Sequence, residues 1–273
     1  MRLQTNHQLT LPWVVSKPHT DIDETDLWKD LNQVIKHFPN ENQELLPGLK
    51  WGVCYQLYTP AFWKLQYLLN SFSVEKNAHR ISANITEEIV LCILGGYGIP
   101  SEMGIIAFER FKNENLIRKD ISLERVSSAL SRPFQISKNK YVKYRFANQK
   151  AKYIHNFLNR NDLENIPEHD DLSLRKWLMT LKGIGPKTAS WITRNWLRSE
   201  RVAILDIHIL RAGMITGFFS RKINIVTEYY DLETQYLNFC HFLEVRPSDM
   251  DAIIWSYMKK NNKLALNILS SIT

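Results

Sequence analysis

The stretch that decides the fold is "LMTLKGIGPKTASWITRNW", residues 178–196. Two amphipathic runs flank a loop of a few residues that holds Gly183 and Gly185, with Pro186 and Lys187 directly after them. Glycine adopts backbone conformations closed to other residues. Proline suits the first turn of a helix, where a missing N–H costs nothing. The pattern predicts a helix over 171–181, capped by Asp170 or Asp171, a very short turn, and a second helix from 187 to 197. The amide groups of the turn and of the second helix's start then face outward. Such donors bind a phosphate whatever base it carries.

Helical periodicity dominates the rest. "TDLWKDLNQVIKHF" (25–38), "PAFWKLQYLLNSF" (60–72) and "SEMGIIAFERF" (101–111) carry apolar residues at helical spacing. Further helices are expected at 122–130, 147–159, 206–216, 227–243 and 248–269. Only the first 15 residues read as extended. The fold class is therefore all-α, with at most a short extended N-terminal segment. "VLCILGGYGIP" (90–100) is a tight turn between helices, because its glycine spacing and Pro100 do not suit a dinucleotide site.

The 273 residues carry a net charge of +7. Nine basic and no acidic residues lie between Arg125 and Asn161; removing those nine leaves 26 basic against 28 acidic residues elsewhere. The centre of the segment, "KNKYVKYRFANQKAKY" (138–153), interleaves cations with aromatic rings, as a polyanion-binding surface does. Lys143, Arg145, Lys150 and Lys152 are its candidate phosphate contacts. No apolar run is long enough to cross a membrane, and "MRLQTNHQLTLPW" lacks the apolar core of a secretion signal, so a cytoplasmic location is expected. Cys54, Cys92 and Cys240 form no metal-binding spacing, which predicts reduced thiols and no metal.

Glycine hairpin, Lys187 and the Asp206 of "VAILDIH" (202–208) form a further pattern. Aspartate follows lysine by 19 residues, near the start of another helix. In "LKGIGPKTASWI" and "ILDIHILR" the chain resembles the helix-hairpin-helix superfamily of DNA base-excision glycosylases, and the Lys-to-Asp interval resembles the 8-oxoguanine branch. "RFANQKAKYI" (145–154) resembles the family segment upstream of the hairpin.

The resemblance implies a two-lobed fold with the active site in the cleft between the lobes. Residues 84–200 would form the central lobe. Residues 1–83 would pack with the C-terminal helices in 201–273. It further implies base excision coupled to abasic-site lyase chemistry, as monofunctional relatives lack this lysine. The partner would be duplex DNA with an extruded base, and the enzyme a monomer, associated with the nucleoid in a prokaryote. Lys187 would be the nucleophile and Asp206 the carboxylate that stabilises positive charge on the sugar. The plainer readings are a phosphate contact for Lys187 and a helix cap for Asp206.

By the same resemblance Gly183 and Gly185 form the DNA-binding hairpin and His208 lies near the backbone. Trp191 and Trp255 are the two walls of the base pocket, with Asp251 at its edge. Asp251 and Trp255 share a helix face, and the Asp–Trp pair is more like the archaeal 8-oxoguanine enzymes than the eukaryotic ones. Core packing is the alternative for each tryptophan. A monovalent cation between the hairpin carbonyls and a phosphate is compatible with the motif; an iron–sulfur cluster is not, for want of cysteines. Two other functions fit the motifs: excision of another modified base, such as a hypermodified cytosine of viral DNA in a defence role, and a non-enzymatic DNA-binding module.

Overall fold

The computed structural model describes residues 33, 35–71, 82–96 and 98–272. The extended N-terminal segment lies outside them, as does most of the helix expected over 25–38; residues 33, 35 and 36 are helical. In chain order the elements are β1 (Glu44–Leu46), β2 (Leu49–Lys50), α1 (Pro60–Ser71), α2 (Ile85–Leu94), α3 (Ser101–Asn113), α4 (Leu123–Ser131), β3 (Phe134–Ser137), β4 (Lys140–Val142), α5 (Ala147–Leu158), α6 (Asp171–Leu178), α7 (Pro186–Leu197), α8 (Ile207–Thr216), α9 (Tyr229–Phe242), α10 (Pro247–Lys260) and α11 (Asn262–Ile272). The all-α expectation holds. The strands form two small antiparallel hairpins that periodicity did not reveal. The described residues divide into two compact units, one within 80–204 and the other formed from 1–79 with 205–273.

In the 80–204 unit, α2 is the central element. Ile89, Val90, Ile93 and Leu94 are fully buried, so the helix is apolar on most sides, as a core helix must be. Asn84 caps it by accepting from Glu87 N at 2.9 Å. Its other end is closed from a distance in sequence. Lys150 of α5 donates to the carbonyls of Ile93 at 2.6 Å and Gly95 at 2.9 Å, where a cation meets the negative end of the helix. Burial lowers the pKa of this lysine. The Tyr144 hydroxyl donates to Leu94 O.

Hairpin β3–β4 is anchored by one arginine. Arg110 of α3 donates to the carbonyls of Ala129 at 2.8 Å, Arg132 at 2.9 Å and Pro133 at 2.7 Å. Its guanidinium also lies 3.5 Å from the centre of the Phe134 ring. The Phe134 and Tyr144 rings, both buried, sit 6.0 Å apart at the two feet of the hairpin.

Asp170 caps α6 through Ser173 N at 2.8 Å, and α6 stops at Leu178, three residues short of the expectation. Its start is tied to the segment after α7: Ser199 donates to Asp171 at 2.6 Å, and Arg201 pairs with Asp171 at 2.8 Å. Arg160 grips Asp162 through two bonds of 2.6 and 2.5 Å, and Trp177 adds a third of 2.9 Å. These donors, Arg160 first, pull Asp162 down to about 2.

The second unit is built on aromatics. Trp63 of α1 is fully buried and donates to Thr216 of α8 at 2.8 Å. Tyr58, Phe62 and Tyr257 pack around its ring. Lys64 closes the end of α9 by donating to Leu243 O at 2.8 Å and Glu244 O at 3.1 Å. The single helix expected over 248–269 is two helices. They break at Asn261, whose side-chain amide donates to Tyr257 O at 3.0 Å. Asparagine competes with the helix backbone in this way and is a common place for a helix to stop.

The 179–185 turn has one position only glycine can fill. Gly183 has φ +89°, and a Cβ there would lie 2.3 Å from Cδ2 of Tyr153. Gly185 has φ −99° and open space around it. Gly183→Ala is therefore expected to cost ~2 kcal/mol or more of stability, whereas Gly185→Ala, which meets no clash and changes only the N-cap residue of α7, costs under ~1 kcal/mol; thermal melts of the two variants check this. A second expectation concerns acid. Because Asp162 is depressed, its stabilising contribution is complete above 3.8 and is lost as pH falls toward about 2. Asp162→Asn should have a shallower loss of stability than wild type across that window, measured by urea unfolding at each pH.

Candidate active site

The 80–204 unit carries the candidate nucleophile. Lys187 is the second residue of α7 and is exposed. Gly185 at the N-cap has no side chain to satisfy the first-turn amides, and Pro186 opens the helix. The amine thus stands at an uncapped helix start beside the glycine turn, on a backbone fixed by Gly183 against Tyr153. One turn along α7, Trp191 is half-buried against the core of this unit, with the Arg194 guanidinium 5.8 Å from its ring centre. It serves core packing on at least part of its surface.

The basic segment is sorted by its partners. Arg132 is paired with Glu114, Arg160 with Asp162, and Lys150 is committed to the end of α2. Lys150 was expected to reach DNA; its half-buried ammonium is instead engaged by two helix-end carbonyls. Lys143, Arg145 and Lys152 are exposed. Arg145 lies against the ring of Phe146, 4.8 Å from its centre. Phe146 itself takes a left-handed conformation, φ 62°, at the start of α5.

The other unit carries the candidate carboxylate. Asp206 is the N-cap of α8: its Oδ1 accepts from His208 N at 2.8 Å and Ile209 N at 3.0 Å. The cap reading is correct, and it uses one oxygen. Oδ2 has no hydrogen-bond partner among the described residues, and the side chain is half-buried. The cap fixes the carboxylate's direction and surrounds its charge with backbone amides.

Trp255, on α10, is half-exposed and meets the His208 ring edge-on, with centres 6.3 Å apart. His208 therefore packs with the proposed base wall as well as following Asp206. One turn beyond Trp255, the Lys259 ammonium sits 4.4 Å from the indole centre. Sequence reading passed over Lys259, although its spacing of four from Trp255 was visible. Asp251, one turn before Trp255, is 7% exposed.

Among the described residues no three His, Cys, Asp or Glu side chains come together as a metal site. Cys54 and Cys240 are buried in one unit. Cys92 is in the other, its thiol pKa pushed up by burial. No described helix is long and apolar enough to cross a membrane.

Comparison with known proteins identifies the family. A family model described as 8-oxoguanine DNA glycosylase matches residues 68–245. The 8-oxoguanine DNA glycosylase/AP lyase of Metallosphaera sedula is 30% identical over 187 residues, which cover 65% of this chain and 82% of that protein. The enzyme of the same name from Fusobacterium nucleatum is 28% identical over 127 residues, 41% of this chain and 56% of that one. Two solved structures share the fold. The Methanocaldococcus jannaschii 8-oxoguanine glycosylase/lyase, in complex with a 15mer DNA containing 8-oxoguanine, gives a TM-score of 0.50 at 24% identity over 64% of this chain and 81% of that one. The 8-oxoguanine DNA glycosylase of Thermotoga maritima gives 0.50 at 20% identity over 86% and 97%. The matched span includes the glycine turn, Lys187 and Asp206, and the chain belongs to the 8-oxoguanine DNA glycosylase family.

Proposed function

We propose that this DNA glycosylase/AP lyase removes 8-oxoguanine from duplex DNA and then cuts the abasic strand, with Lys187 as nucleophile and Asp206 as the charge-stabilising carboxylate. The observation that carries the reading is the exposed amine on the first turn of α7, directly after an uncapped glycine turn, within the span that matches the family. The base must leave the stack to be reached. The neutral Lys187 amine attacks C1′ as the bond from C1′ to the base nitrogen breaks. The bonding electron pair leaves with the base, which takes up a proton.

Positive charge grows on the sugar as that bond stretches. A carboxylate ~4 Å away at an effective dielectric of ~20 contributes ~4 kcal/mol, or about three decades of rate. Asp206 Oδ2 is the oxygen suited to this, since Oδ1 is held by two amides. Loss of a proton from the new C1′–N bond and opening of the sugar give a Schiff base. Removal of a C2′ proton then expels the 3′ phosphate by breaking its C3′–O bond. Hydrolysis of the Schiff base frees Lys187. The glycine turn and Lys143, Arg145 and Lys152 hold the phosphates through charge-assisted contacts.

Base choice is assigned to α10, which follows the family-matched span. Trp255 is the stacking wall, braced by His208 at its edge and Lys259 at its ring. Asp251 accepts from purine N–H groups.

Lys187→Gln is expected to abolish both base release and strand cutting while duplex binding persists. Asp206→Asn retains a side-chain oxygen that can cap α8, so its melting temperature stays near wild type while single-turnover excision falls ~10³-fold. Asp206→Ala should lose ~1 kcal/mol of stability as well. Full activity in either the Gln or the Asn variant contradicts the assignment. For the pocket, Trp255→Ala should weaken binding to an 8-oxoguanine duplex by ~1–3 kcal/mol and leave binding to undamaged duplex unchanged. A panel of duplexes, each with one altered base, checks the substrate: 8-oxoguanine should be released fastest, and a faster modified cytosine would replace it.

A further inference from the structure

We infer that the β3–β4 hairpin is a rigid DNA-backbone arm, in which Lys138 and Lys140 contact phosphates outside the base-excision site and Tyr141 packs on the sugar–phosphate chain. The inference rests on the reading of this chain as a DNA-acting enzyme and adds a surface to it.

The hairpin is unusual within the basic segment. Phe134 pairs with Val142, and Gln135 with Tyr141. Alternation along a strand sends these two pairs to opposite faces. Phe134 is fully buried and Val142 packs against the core, so the Gln135–Tyr141 face is the outer one. Tyr141 is 63% exposed there, a large ring with little to cover it. Lys138 and Asn139 form a two-residue turn between the strands. Lys138, Lys140 and Lys143 are all exposed and have no ion-pair partner among the described residues. Three cations therefore flank one exposed aromatic hydroxyl, with no acidic residue between Arg125 and Asn161.

The arm is also held stiffly. Arg110 ties its first foot through three carbonyls and the Phe134 ring, while Tyr144 fixes its second foot to α2. Gln135 Nε2 donates to Lys138 O at 3.1 Å and braces the turn. Committing an arginine and two buried aromatic rings to a surface hairpin keeps its tip in place, so its backbone loses little entropy on meeting a phosphate. A polyanion with regularly spaced charges and flat sugar edges is the partner that fits, which is duplex DNA.

The test measures binding of the full-length protein to undamaged duplex by fluorescence anisotropy across about 50 to 200 mM salt, where each phosphate contact contributes ~0.9 to the slope of log affinity against log salt. Lys138→Ala with Lys140→Ala should lower that slope by ~1.8 and weaken binding more than ~10-fold at about 100 mM salt. Lys112→Ala with Lys119→Ala, which removes the same charge elsewhere in the unit, should lower the slope by less than half as much. Tyr141→Ala should weaken binding several-fold with the slope unchanged. Equal effects from the two double variants, or no effect from the first, overturn the arm. Undamaged duplex requires no chemistry, so this result is independent of whether wild type releases 8-oxoguanine, which the altered-base panel decides.

Discussion

The left-handed turn at Gly183, closed against the ring of Tyr153, is the constraint on which the rest depends. It allows α6 to end and α7 to begin within a few residues. That brevity leaves the first-turn amides of α7 without a side-chain cap and sets Lys187 beside them. A longer connection, or a residue with a Cβ at position 183, would move the amine or push Tyr153 out of place. Further ties hold the helices that the turn joins. Asp171 binds Ser199 and Arg201, and Trp196 donates to Glu168 at 2.7 Å. On so rigid a base, the proposed nucleophile needs little reorganisation to meet its target.

Charge in this protein is divided between building and binding. Lys150 and Lys64 each close a helix by donating to its last carbonyls, and Arg110 fastens a hairpin to α3. Those cations are spent on structure. The exposed ones, Lys143, Arg145 and Lys152 with the hairpin lysines, remain for a polyanion. Asp206 shows the same division within one side chain, with one oxygen capping α8 and the other assigned, in the proposed mechanism, to the sugar.

Much of this was legible in the sequence because each signal was local. Pro186 and Gly183 marked the turn, periodicity marked most helices, and Asp206 stood before an apolar helical run. Part of what escaped depended on distant partners. Nothing adjacent to Lys150 says that its ammonium meets carbonyls 55 and 57 residues away. Hairpin β3–β4 was hidden because its alternation covers only a few residues in a segment dominated by lysine. The break at Asn261 was passed over because apolar spacing continues across it. Lys259, missed as well, lay within reach of local reading, at helical spacing from Trp255.

The central claim is that one amine, that of Lys187, becomes covalently joined to the sugar. Borohydride reduction of the enzyme acting on an 8-oxoguanine duplex freezes that bond, and peptide mapping by mass spectrometry locates it. The account predicts the cross-link on the peptide carrying Lys187. A cross-link on any other lysine or on the N-terminal amine, or strand cutting with no cross-link at all, would contradict it.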